Sequence, residues 1–236
     1  MATPQASQAN RPSTGSFKST SAITIRVGKA PNVEDFIAHE SFLTSRSEFF
    51  RRAMNGRWTE ATTRIINLPE DEPDIFALYI SYVYTGEFPV ASKTAEELKK
   101  LEDGDLKKYL QEKHHAIFSV FILAEKFQDV ATKNAMLSAS LAATRLKGPR
   151  GKWFVPSANT TKAIYEGTPS NSPARRFVTD LWTAVSITCI FDQFPKFHKD
   201  FAKDLGESIQ KARVENLGNI PAKKGIATYH EDIEEN

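Results

Sequence analysis

Five histidines, one cysteine and one acidic run are the side chains of this 236-residue chain best suited to acid–base, nucleophilic or metal chemistry. A general base needs a partner within hydrogen-bond reach, and a metal needs several converging ligands. His114 and His115 are adjacent, so on a helix their rings point about 100° apart and cannot share one ion. His39 sits between a strand and a helix and reads as a hydrogen-bonded structural residue, His198 as a boundary residue, and His230 as part of a polar tail. Cys189 has no partner for an internal disulfide, and within "AVSITCIF" it reads as a small buried hydrophobe. Glu70, Asp71, Glu72 and Asp74 crowd around Pro73, where a helix starts. Carboxylates at that end complement the helix dipole and need no metal. No GxSxG, GxGxxG or GxxxxGK[ST] motif is present. The expectation is a non-enzyme with no cofactor and no metal.

Contact chemistry remains. Residues 54–61 read "MNGRWTEA", and Trp58 stands between Arg57 and Thr59, with Glu60 close behind. A wet indole is costly, so two readings stay open. Trp58 folds inward onto Phe49, Phe50 and Met54 as a lid, or it stands out beside Glu60 for a partner. The polar company of the ring leaves both open, and the sequence leans towards the lid.

The elements that would position these residues follow from patterning. Composition is that of a soluble globular protein, with 40% hydrophobic and 25% charged residues. A net charge of +2 is too small to imply nucleic-acid or membrane partners, and no apolar run approaches the roughly 18–20 residues of a membrane span. The N-terminal segment lacks the apolar stretch of a secretory signal, so an intracellular site, cytoplasmic or nuclear, is expected.

Residues 1–20 are polar and read as disordered. "AITIRVG" alternates as a half-buried strand, and "FIAHE" pairs with it as a hairpin. "SFLTSRSEFFRRAMNG" reads as two helical pieces, the second opened by a Ser45-x-x-Glu48 capping box and closed at Gly56. A loop then leads to a third strand, "TRIINL". Pro73 opens a helix with Phe76, Ile80, Val83 and Tyr84 at helical spacing, and Gly86 ends it. Thr94-x-x-Glu97 caps a charged piece, a long apolar helix runs from about Asp105 to Phe127, and an Ala-rich helix reaches about Leu146. Residues 147–172 read as a connection with one short helix near Lys162–Glu166, and a basic cluster, Lys147, Arg150 and Lys152, lies at its start. Residues 173–218 read as amphipathic helices, with Phe177, Leu181 and Val185 on one face and Phe197, Phe201, Leu205 and Ile209 on another. Residues 219–236 read as a disordered tail that ends in the acidic "HEDIEEN".

The order and spacing of these pieces resemble the BTB/POZ domain family. The resemblance rests on His39-Glu40, Leu43, Ser45–Ser47 followed by Phe49-Phe50, the strand Ile65–Leu68, and "YTG" at Tyr84–Gly86. "NGRWTEA" followed by "LPEDEP" is especially similar to BTB proteins common in fungi. Residues 21–146 are covered. The resemblance implies an α+β fold, a small three-stranded sheet capped by helical hairpins, and protein–protein interaction without catalysis.

It also implies a site. Many BTB proteins bridge a client to a cullin-type ubiquitin-ligase scaffold through a large hydrophobic residue, any residue, then Glu. Trp58-Thr59-Glu60 occupies that slot. The indole would fill an apolar cleft on the partner, burying about 150–250 Å². Glu60 would accept charge-assisted hydrogen bonds. Tyr84 falls at another family contact, and Met54 borders the same turn. The candidate protein-binding residues are therefore Trp58, Glu60, Tyr84 and Met54. Residues 1–20 lack the apolar periodicity of the segment that builds the family's swapped dimer, so a monomer or a different oligomer is expected. If the chain is not an adaptor, the resemblance implies a stand-alone assembly module in a transcriptional or cytoskeletal complex.

Overall fold

The computed structural model describes residues 21–89, 93–146, 153–215 and 224–231. The expectations for residues 1–20 and for the basic cluster at 147–152 lie outside them.

Strand β1 (Ala22–Val27) turns Ile23, Ile25 and Val27 into the core and leaves Arg26 outside. β2 (Glu34–His39) returns antiparallel, with Phe36 opposite Ile25, as the hairpin reading requires. Gly28 opens the turn with φ +93°, and a Cβ there would lie 2.1 Å from the Asn32 carbonyl oxygen, so only glycine fits. β3 (Ile65–Leu68) adds to the other side of β1 in parallel, giving the order β2-β1-β3. Parallel pairing demands a crossover. Residues 40–64 supply it as three short helices, α1 (Glu40–Thr44), α2 (Glu48–Ala53) and α3 (Thr59–Thr63).

Two local expectations change here. The cap of α2 is Ser47, not Ser45. Ser47 Oγ accepts from Phe50 N at 3.2 Å and donates to the Phe127 carbonyl at 2.6 Å. Ser45 closes α1 and donates to the Phe42 carbonyl, while Glu48 turns to Arg51 and Arg52 instead of back to a cap. The expected loop after Gly56 also holds a turn of helix, α3, because Arg64 takes a left-handed C-cap at φ 62° and closes it onto Glu60 O.

α4 (Pro73–Thr85) begins on Pro73 and ends on Gly86 at φ 71°. Its buried stripe is Phe76, Tyr79 and Val83, so it runs through Tyr79 where the spacing suggested Ile80 and Tyr84. α5 (Ala95–Lys99) carries the expected Thr94–Glu97 capping box. α6 (Asp103–Phe127) is the central helix and α7 (Val130–Thr144) packs along it. His114 is fully buried on α6 with Ser140 Oγ at 3.0 Å from its Nδ1, whereas His115 faces solvent, so the pair points apart as its adjacency dictates.

The second half departs further from the sequence reading. α8 (Ala158–Gly167) is longer than the expected short helix, and it buries Ile164 and Tyr165 in the same core as the strands. α9 (Pro173–Thr183) places Phe177, Val178, Leu181 and Trp182 in that core. It stops before "SITCIF", because Ser186 caps a new helix, α10 (Ile187–Gln193). The restart changes the phase, so only Ile190 of α10 is buried, and Cys189 is exposed, contrary to expectation. α11 (Lys199–Glu215) inserts Phe201 and Leu205 as its spacing predicts. Residues 224–231, expected within a disordered tail, form a 3-10 turn over Ile226–Tyr229 with Tyr229 buried. Its ring packs edge-on against Phe177 and its hydroxyl donates to Asp180, interactions a composition-based reading cannot see.

Candidate protein-binding site

The turn between α2 and α3 is built on a rigid base. Arg46, between α1 and α2, donates to Thr132 Oγ1 at 3.0 Å and to Asp129 Oδ2 at 3.4 Å. Asp129 is fully buried and also accepts from Thr132 N and Tyr79 OH. Burial, with the Asp129 carboxylate beside it, holds the Tyr79 hydroxyl well above the usual phenol range. Together with Ser47 on the Phe127 carbonyl, these bonds fix the α1–α2 corner to the end of α6. Phe49 and Phe50 then pack at tilted angles against Phe127 and occupy the space a lid would need.

Trp58 therefore does not fold inward. It is 63% exposed and stands as the extended N-cap residue of α3, with Gly56 at φ 84° reversing the chain before it. Among the described residues, neither the indole N–H nor the ring has a hydrogen-bond or ring partner, and the Glu60 carboxylate is likewise unpaired. Met54 closes α2 and packs against the core, so only part of it reaches the surface.

Tyr84 is tied to the same region through the dipeptide His39-Glu40. The Tyr84 hydroxyl accepts from His39 N at 2.8 Å and lies 2.9 Å from His39 Nδ1, and its ring stacks on Phe42 at 4.7 Å. Glu40, the next residue, receives the Arg64 guanidinium at 2.7 Å, and Arg64 is the C-cap of α3. A hydrogen bond from Ser21, with the nearby Arg64 charge adding to it, holds the Glu40 carboxyl below the usual range. One dipeptide thus anchors both the end of α4 and the end of α3. His39 plays the structural role expected of it.

Sequence reasoning did not find Phe42 and Arg64 as supports of this site. Nothing in the local pattern marks a left-handed arginine. It also did not find Ile37, which is 78% exposed at the outer edge of β2. That position was readable, since Ile37 alternates with the inward pair Phe36 and Ala38. A third apolar surface, Ile187, Phe191 and Phe194 on and just after α10, emerges only from the restart at Ser186. Among the described residues no cluster of metal-ligating side chains occurs, and no helix is long and apolar enough to cross a membrane.

The family model of the BTB/POZ domain matches residues 15–128. This chain carries a BTB/POZ domain. The match takes in the three strands and α1 to α6, hence the whole crossover that presents Trp58. BTB/POZ domains are protein–protein interaction modules, and the match assigns that role to this domain. Helices α7 to α11 lie beyond the match, yet they share one continuous core with the BTB/POZ domain through α6.

Proposed function

We propose that this protein is an adaptor that joins a client protein to a cullin-type ubiquitin-ligase scaffold through its BTB/POZ domain. The observation that supports this most is the exposed Trp58 beside a free Glu60, at the start of a short helix whose far end is anchored by Arg64 on Glu40. An aromatic ring set in a polar rim on a rigid base matches the anatomy of an interface hot spot. Tyr84 and the accessible part of Met54 extend the surface. The helices beyond the BTB/POZ domain would carry the client.

A pull-down against a cullin scaffold tests this reading. Wild type should bind, and Trp58→Ala and Glu60→Ala should each weaken capture by about tenfold or more. Absence of wild-type binding sinks the adaptor role. The second reading is a stand-alone assembly module, and the exposed Ile37 edge and the Ile187–Phe191–Phe194 ridge favour it. Light scattering then shows an oligomer that Ile37→Lys or Phe191→Ser dissolves.

A further inference from the structure

The segment 224–231 contacts the rest of the chain unlike an ordinary element. It lies across α7 and α9 as a strap, and its attachment is almost wholly through side-chain recognition. Asn134 of α7 reads the main chain of Glu231 from both sides. Its Nδ2 donates to Glu231 O at 3.1 Å, and its Oδ1 accepts from Glu231 N at 3.1 Å. Lys133, itself nearly buried and also paired with Glu125, grips the Glu231 carboxylate at 2.7 and 2.8 Å. Tyr229 enters a pocket where its ring meets Phe177 edge-on at 5.2 Å and its hydroxyl donates to Asp180. Asp180 also receives Lys224 at 2.6 Å. His230 lies 3.3 Å from Ser138 Oγ.

A main-chain clamp, a cation for a carboxylate and an aromatic pocket with an acceptor at its base are the parts of a peptide-recognition groove. Tyr229 is the only fully buried residue of the strap and Ile226 packs beside it only in part, so two apolar side chains hold the strap down. Elements of that kind open at a fraction of the global unfolding free energy. We infer that the α7–α9 groove is a peptide-docking site for a partner segment carrying Tyr-x-Glu after a turn like that of Ile226–Tyr229, occupied at rest by the chain's own strap. A partner segment with that pattern displaces the strap, and a basic residue upstream of its tyrosine adds the contact to Asp180.

The test uses the full chain and a fluorescent synthetic peptide of residues 224–231. A strap tethered to its groove acts at an effective concentration of about a millimolar, so wild type should take up micromolar peptide poorly. The full-length Tyr229→Ala chain, its own strap weakened, should bind the same peptide at least about tenfold more tightly in an anisotropy titration. Replacing the peptide's own tyrosine by alanine should abolish that gain. Should Tyr229→Ala fail to fold by near-UV circular dichroism, Glu231→Lys decides, since it releases the strap at its half-exposed end without leaving a cavity. No gain over wild type in either folded variant, or a gain that ignores the peptide's tyrosine, overturns the inference. A concentration-dependent wild-type dimer that Tyr229→Ala dissolves also overturns it, by assigning the groove to a second copy's strap.

Discussion

Trp58 and Trp182 are the same residue in opposite circumstances. Trp182 is 4% exposed, donates its indole N–H to Thr161 Oγ1 at 3.0 Å, and meets Phe197 edge-on at 4.9 Å. Trp58 is 63% exposed and has no partner among the described residues. The difference lies in what each helix has left to offer. α9 brings a whole apolar face to a core with room for it, whereas the core beneath α2 is already filled by Phe49, Phe50 and Phe127. An aromatic side chain with no place inside is available for something outside.

The largest test removes the buried ring. Trp182→Ala should cost about 3–5 kcal/mol of stability in urea unfolding, the usual range for emptying a large aromatic site. Trp58→Ala should match wild type within about 0.5 kcal/mol. Equal losses would erase the contrast between the two regions. A second test uses acid. Burial, reinforced by the Lys113 charge and opposed by the Phe154 backbone, pushes His114 down to about 4 in the folded chain, against 6.5 for a free imidazole. The unfolded chain takes up the proton first, so stability present above pH 6.5 is lost as pH falls towards 4, by about 3 kcal/mol in all. A His114→Phe variant should lose that part of the pH dependence, and the turn bearing Trp58 should be indifferent to it.

A smaller effect separates the two serines. Ser47→Ala removes both the α2 cap and the bond to Phe127 O, and should cost about 1–2 kcal/mol in thermal melts. Ser45→Ala should cost under about 0.5 kcal/mol. The smallest expected change is the stability of Glu60→Ala, near zero, although the same variant should lose partner capture.

Much of the fold was legible because its signals are local. Ile23, Ile25 and Val27 alternate, Pro73 and Gly86 bracket α4, and Thr94 with Glu97 closes a box within one turn. What was not legible depends on residues far apart in the chain. Ser47 outranks Ser45 as a cap because Phe127 waits 80 residues away. Tyr229 is buried because Asp180 and Phe177 accept it, and the short run "GIATYH", with no periodic pattern, gives no hint of that. The same holds at the site. The motif Trp58-Thr59-Glu60 could be picked out by eye, but its outward pose depended on how full the core beneath it was.

The parallel pairing of β3 with β1 has one more consequence. Thr24 lies opposite Ile65, so the contact that closes the crossover joins residues about forty positions apart in sequence. Contacts of such long range form late and only cooperatively. The surface around Trp58 therefore does not exist as a local peptide motif. It comes into being when the sheet shuts, and a partner that reads Trp58 and Glu60 in that pose is also verifying that the molecule has finished folding.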